Sequence, residues 1–183
     1  MSAEQEKKRK NSMRFRWMDG LKVIGLAFVF AFLITRFVVS ATLVEGSSMC
    51  ETLHDQDRVF VWRFGVSIDS IKHGDIVVFH APDAPGKDYI KRVIALPNEY
   101  VQILDGAVYV NGVKVDEPYI NTAYTYAAKQ TEWLVGDNEF FVLGDNRERG
   151  ASKDSRVLGP ISADALLGHA VFRFFPFQSF GDI

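Results

Sequence analysis

The stretch YVQILDGAVYVNGVKV, residues 100–115, decides the fold class. Asp105-Gly106 and Asn111-Gly112 are the preferred fillers of two-residue hairpin turns, because both central positions need φ > 0. Tyr100 to Leu104, Ala107 to Val110 and Val113 to Val115 therefore read as consecutive strands of a meander. Upstream, Val59 to Trp62 follows a polar turn at His54 to Asp57. Ile76 to Phe79 follows Gly74-Asp75, and Tyr89 to Leu96 is a long apolar run. Downstream, Glu139 to Leu143 stands between two Gly-Asp-Asn turns, Ser162-Ala163-Asp164 opens a short helix, and Ala170 to Phe175 closes the chain. No long helix is expected after residue 43. The reading is mainly β, with antiparallel, orthogonal or barrel-like sheets.

The N-terminal part differs. Lys7, Lys8, Arg9, Lys10, Arg14 and Arg16 form a basic head, and an apolar run from Leu21 to Ile34 follows, interrupted by Lys22 and Gly25. A basic head before an apolar run is the positive-inside signature. Between Lys22 and Arg36 the run is short of the ~20 residues a bilayer needs, but both side chains can snorkel, and Trp17 suits the inner interface. Trp17 to Thr35 reads as one transmembrane helix. That gives a cytoplasmic N-terminus at 1–16, an anchor at 17–35 and an extracytoplasmic β domain at 36–183, with Phe37 to Val44 as its first strand. A cleavable signal peptide is the rival reading, since Val39-Ser40-Ala41 fits the small-residue rule at a cleavage site; N-terminal sequencing of the mature protein separates the two. At 183 residues and 48% hydrophobic, the chain holds one compact domain plus an anchor. A net charge of −2 gives no reason to expect nucleic acid.

The chemistry is concentrated in three stretches. Gly46 to Leu53 offers serines in a Gly/Ser turn. Asp88 to Ile94 places Lys91 on an apolar strand, where burial can strip its proton. Gly144-Asp145-Asn146-Arg147 is closed by Ser152-Lys153-Asp154-Ser155-Arg156. Together they suggest a membrane-tethered Ser/Lys hydrolase. Ser47 and Ser48 compete for the nucleophile on composition alone, and Lys91 could equally be an exposed strand charge. His54, His73, His80 and His169 lie in turns or apart from these stretches, which argues against a Ser-His-Asp triad. No His/Cys cluster has metal spacing, so neither metal nor other cofactor is expected.

In order and in content, these stretches resemble the type I signal peptidase family in its bacterial form. Its pattern runs Ser-Met-x-Pro-Thr-Leu, then Tyr-Ile-Lys-Arg-Val-Ile-x-Leu-Pro-Gly-Asp, then Gly-Asp-Asn-Arg with Ser-x-Asp-Ser-Arg; Gly74 to Phe79 also matches. The resemblance selects Ser48 as nucleophile, because Met49 and Thr52 fall in frame only from there, with Lys91 as general base. It implies that Ser152 orients the Lys91 amine, that Arg92 pairs with Asp145 and Arg147 with Asp154, and that Ser155 and Arg156 complete the motif. The Ser48 N–H would hold the oxyanion; Gly46 stands where some members add a hydroxyl. Substrate would lie extended beside Val44 to Gly46 and Asp88 to Ile90. Val44, Met49, Leu53, Tyr89 and Ile90 would line shallow pockets that admit only small side chains, giving an Ala-x-Ala preference. The implied partners are signal-peptide-bearing exported precursors and membrane lipid. The implied location is the cell membrane, single-pass, with the catalytic domain outside.

Four departures stand out. Glu51 replaces proline, loosening the turn after Ser48. Cys50, the only cysteine, fills the variable position as a packing residue. Asn98-Glu99 replaces Gly-Asp. Glu148 to Ala151 lengthens the loop before Ser152, so Ala151 and Ser155 are further positions from which Lys91 could be oriented. Two other functions stay open: a self-cleaving Ser/Lys protease, and a catalytically idle relative serving surface-protein assembly. The C-terminal Phe172, Phe174, Phe175, Phe177 and Phe180 offer more apolar surface than one strand needs. Alternation sends part of that set toward lipid, unless all of it serves packing.

Overall fold

The computed structural model describes residues 3–120 and 122–183, with side chains from residue 19 onward. The basic side chains of 7–16 and that of Trp17 lie outside this description. Helix α1 runs Ala3–Phe37. Within it Asp19–Phe37, 19 residues, is long and apolar enough to cross a membrane. The helix continues through Arg36 and Phe37, past the expected anchor end at Thr35 and into the first residue of the strand expected over Phe37 to Val44. The apolar run simply has no helix breaker there.

The chain divides into two compact units, Met1–Val38 and Val39–Ile183. The second is β. Its strands are β1 (Val39–Leu43), β2 (Arg58–Trp62), β3 (Ile76–His80), β4 (Asp88–Ala95), β5 (Tyr100–Leu104), β6 (Ala107–Val110), β7 (Val113–Lys114), β8 (Glu132–Leu134), β9 (Glu139–Leu143), β10 (Ile161–Ser162), β11 (Leu166–Phe175) and β12 (Gly181–Asp182). A single-turn helix, α2 (Ser155–Leu158), precedes β10. The larger, 8-stranded sheet runs β1-β2-β11-β3-β4-β9-β10, with β12 on β11; the smaller runs β7-β6-β5-β8. The described pairings are antiparallel. The hairpin turns behave as expected: Asp105, Gly106, Asn111 and Gly112 have φ of 49°, 79°, 52° and 79°.

Strand β8 was not anticipated. It is three residues long and only Trp133 turns inward, too little alternation to show above a polar neighbourhood. Trp133 nevertheless anchors the small sheet, its ring tilted against Phe141 of the large one with centroids 5.0 Å apart, and with Ile94, Val101, Ile103, Val108 and Leu143 around it. The other two clusters divide along β3. Ile76 and Val78 face Val44, Met49, Leu53, Val59 and Val61; Val77 and Phe79 face Val93, Phe140 and Val142. A strand covered on both faces reads as a continuous apolar run, as Ile76 to Phe79 does. This two-sided burial fixes β3 and β4 as the rigid floor on which Lys91 stands.

Candidate active site

Successive residues of a strand point to opposite faces, and β4 uses this at Lys91 and Arg92. Lys91 Nζ lies 2.8 Å from Ser48 Oγ and 2.7 Å from the Ile90 carbonyl oxygen. Arg92 turns the other way and donates to Asp145 through Nε (2.9 Å) and Nη2 (2.7 Å), and to the Gly74 carbonyl through Nη1 (2.8 Å). Lys91 is 3% exposed. Burial pulls its pKa down from 10.5 to about 8, against the opposing pull of Asp154 and Asp145. A carboxylate near an amine ordinarily keeps it charged; here desolvation prevails.

Ser48 is held from three sides. Before it, Gly46 has φ +87°, which favours glycine, and its N–H donates to Asp55 Oδ1 at 2.7 Å. After it, Cys50 N–H returns to the Ser47 carbonyl (3.2 Å), and Thr52 and Leu53 N–H to the Met49 carbonyl (2.8 Å each). Across from it, Asn146 N–H donates to the Ser48 carbonyl (3.1 Å) and Asn146 Nδ2 to the Ser47 carbonyl (3.1 Å). The approach is close enough to require Gly144. A Cβ there would overlap the Ser48 carbonyl oxygen and Ser152 Oγ, and would lie 2.7 Å from Ser152 Cβ. The Cys50-Glu51 peptide is cis.

The expected Arg92–Asp145 pair is present. The expected Arg147–Asp154 pair is not. Asp154 instead takes Arg156, through Nε (2.9 Å) and Nη2 (2.7 Å), and the Gly144 N–H (3.0 Å). Burial pushes the Asp154 carboxyl up, but Arg156 and the Gly144 N–H outweigh it and hold it below the usual range. Asp154 also caps α2, so Arg156, two residues on, is the guanidinium within its reach. Arg147 is fully buried and pairs with Glu117 (2.5 and 3.0 Å), Thr125 Oγ1 (2.9 Å) and the Gly144 carbonyl (2.8 Å).

Ser152 was expected to orient Lys91. Its Oγ is buried beside Asp154, whose pKa it helps lower, yet makes no hydrogen bond of ordinary geometry. Ser155 is committed elsewhere, accepting the Val142 N–H at 3.0 Å. The Ile90 carbonyl is the group that fixes the Lys91 amine beside Ser48. Sequence reasoning could not find it, because every residue carries such a carbonyl.

A cleft of about 550 Å³ opens over the pair, lined by Thr42, Leu43, Glu45, Gly46, Ser47, Ser48, Tyr89, Ile90 and Ala151 among others. Tyr89 and Ile90 are where the sequence put them. Val44, Met49 and Leu53 do not line this cleft; they are core residues, 2%, 1% and 0% exposed. Alternation explains Val44, whose neighbours Leu43 and Glu45 face the cleft. Met49 and Leu53 belong to a turn whose apolar side closes on β2 and β3. Thr52, read only as a frame marker, is part of the network: its Oγ1 donates to Asp145 (2.5 Å) and accepts from Arg92 (3.2 Å).

Among the described residues no histidine contacts Ser48. His169 does sit between Asp75 (3.4 Å) and Ser70 Oγ (3.3 Å). The Ser70 hydroxyl, however, donates to the Ser67 carbonyl at 2.7 Å, so its proton is not available to the imidazole.

The family model for signal peptidase, peptidase S26, matches residues 17–175. Signal peptidase I of Bacillus licheniformis is 40% identical over 187 residues, covering 97% of each chain. Signal peptidase IB of Staphylococcus aureus is 37% identical over 186 residues, covering 92% of this chain and 94% of the relative. A crystal structure of a signal peptidase I from Enterococcus faecalis is 32% identical, with a TM-score of 0.46, and covers 55% of this chain and 96% of that one. With matches of this extent, the chain belongs to the signal peptidase family, peptidase S26, and is a hydrolase of the signal peptidase I class.

Proposed function

We propose that the chain is a membrane-tethered serine endopeptidase that removes signal peptides from exported precursors, with Ser48 as nucleophile and Lys91 as general base. The observation that carries this is the 2.8 Å approach of Lys91 Nζ to Ser48 Oγ in a buried setting. With a pKa of about 8, roughly a tenth of Lys91 is neutral at pH 7. In that form one N–H stays on the Ile90 carbonyl and the lone pair faces the Ser48 hydroxyl. Lys91 takes the hydroxyl proton as Oγ attacks the scissile carbonyl, and the oxyanion is received by the Ser48 N–H. The ammonium then gives its proton to the leaving amine. The resulting acyl-enzyme is opened by water that Lys91 deprotonates in turn.

Strand β9 pairs with β4 only from Arg92 onward, while β3 covers Asp88 to Arg92 on the other side. The outer edge of Asp88 to Ile90 is therefore open to an extended substrate, with 43–46 across the cleft. The shallow floor at Ile90 and Val78 fits small side chains, hence the Ala-x-Ala preference. Residues 1–16 lie in the cytoplasm, 17–35 form the anchor, and 36–183 work outside. Retention of the anchor is supported by Ala41, which sits inside β1 opposite Phe60; a cut after it would sever a strand. Exposed Phe60, Trp62, Phe64, Phe175, Phe177 and Phe180 supply an apolar surface for lipid. An idle assembly factor would have no need of the intact Ser48/Lys91 pair. Cleavage of a signal-bearing precursor by the detergent-solubilised full chain, and its loss in Ser48→Ala, tests the proposal; full activity in Ser48→Ala ends it.

A further inference from the structure

The catalytic loop is gripped from behind by side chains that no motif contains. Glu117, just past β7, places both carboxylate oxygens on the Arg147 guanidinium. Its side chain is 6% exposed, and that of Arg147 is 0%. Two residues on, the ring of Tyr119 lies over the Arg92 guanidinium, with Cζ 4.0 Å from the ring centroid. The Tyr119 hydroxyl reaches back to Glu117 Oε1 at 3.3 Å. Burial, and then the Glu117 charge, raise the Tyr119 pKa, so the phenol stays a donor. Tyr119 also lines a cavity of about 340 Å³, together with His73, Glu99, Val110 and Val113. Arg92 and Glu117 supply the ring's polar contacts there.

Both guanidiniums lead directly to the nucleophile. Arg92 holds Asp145, which precedes the Asn146 N–H on the Ser48 carbonyl. Arg147 holds the carbonyl of Gly144, the residue whose missing Cβ lets Ser48 and Ser152 approach. A flat cation stacked on one face by an aromatic ring and forked at its edge by a carboxylate has little freedom left. We propose that Glu117 and Tyr119 are positioning residues for the cleavage reaction, clamping Arg147 and Arg92 so that the 144–146 backbone keeps the Ser48 carbonyl, and with it the hydroxyl, in line with Lys91. This rests on the assignment of Ser48 and Lys91 above. It gives the small sheet a part in catalysis, since the clamp issues from the end of β7.

The test uses the full chain in detergent micelles with a signal-bearing precursor, resolving kcat from KM and recording the thermal midpoint of each variant. Tyr119→Leu removes the ring at similar volume and should lower kcat roughly tenfold with KM little changed. Tyr119→Phe restores the stack and should recover most of that loss. Glu117→Gln keeps the shape but not the charge and should also lower kcat about tenfold. Wild-type kcat in folded Tyr119→Leu and Glu117→Gln, whatever their midpoints, overturns the proposal, as does a Tyr119→Phe variant as slow as Tyr119→Leu. If Tyr119→Leu does not fold, Glu117→Gln decides alone. Ser48→Ala is run alongside: its activity would refute the catalytic assignment, separately from the clamp.

Discussion

Replacing Lys91 with methionine should abolish cleavage and make the protein more stable. Lys91 is 3% exposed and its pKa falls from 10.5 to about 8, first because burial penalises the ammonium. At about 1.4 kcal/mol per pH unit, that fall corresponds to about 3 kcal/mol. The sign follows from linkage. Below pH 8 the amine is protonated in both states, and the folded state carries the full penalty. Between pH 8 and 10.5 the unfolded chain binds the proton and the folded chain does not, so stability rises with pH. Above 10.5 both are neutral and the penalty has gone. Lys91→Met fills the same volume without a charge. At pH 7 it should gain up to about 3 kcal/mol, less the lost bonds to Ser48 and Ile90, and its advantage should fade between pH 8 and 10.5. Denaturant titrations of the full chain in micelles, followed through Trp62 and Trp133, measure both. A variant less stable than wild type at pH 7, with a difference that does not change up to pH 10.5, would refute the reasoning. The same pKa should set the limb on which kcat/KM rises with pH, near pH 8 in the free enzyme, because only the neutral amine can take the Ser48 proton; a rise centred near 6.5 would point to a histidine instead.

Cys50→Ala should keep most activity, because the cysteine is a half-buried residue of the turn that hydrogen-bonds to neither Ser48 Oγ nor Lys91 Nζ; loss of precursor cleavage in a folded Cys50→Ala would contradict that. Gly144→Ala should cost about 1–3 kcal/mol of stability, since the added methyl meets the Ser48 backbone and buried Ser152. It should also cut kcat about a hundredfold if the Ser48 carbonyl shifts by about 1 Å; near-normal kcat would show that the site yields without harm. Phe177 and Phe175 are 78% and 41% exposed. Changing both to serine should weaken liposome binding by the 39–183 unit with little change in thermal midpoint, and a large fall in midpoint would return them to the core.

Most of the strand order was legible because turn chemistry is local. Asp105-Gly106 and Asn111-Gly112 dictate their hairpins whatever surrounds them. Strands β8, β10 and β12 were not legible: at three, two and two residues they lack the length for a period, and they exist because a longer strand offers them an edge. At the site, the residues with distinctive chemistry that the sequence singled out, Ser48 with Lys91 and Arg92 with Asp145, lie within hydrogen-bond distance of each other. What failed was partner choice. Buried Arg147 needs a carboxylate, and the motif offered Asp154; the carboxylate it has, Glu117, comes from the loop after β7 and stands in a stretch with no pattern. Val44, Met49 and Leu53 failed differently: their apolar character announced burial, but not which side of the strand or turn the core would take.

Those pairings matter to Lys91, the proposed base, as much as to the fold. Lys91 has two carboxylates near enough to favour its charged form, Asp154 and Asp145. Left bare, they would hold the ammonium as an ordinary buried salt bridge and leave no amine to accept a proton. Each is instead engaged bidentately by an arginine, Asp154 by Arg156 and Asp145 by Arg92. Arg156 also acts directly on Lys91, lowering its pKa. Such pairs are expensive to bury and give a core little net stability compared with apolar packing. What they give here is carboxylates already committed to permanent cations, so that desolvation decides the state of Lys91. A cation that could lose its proton would not serve, and a lysine in place of Arg92 or Arg156 would itself be a candidate for neutralisation in the same buried ground. Two arginines beside one lysine are therefore the arrangement in which a single amine can be the base.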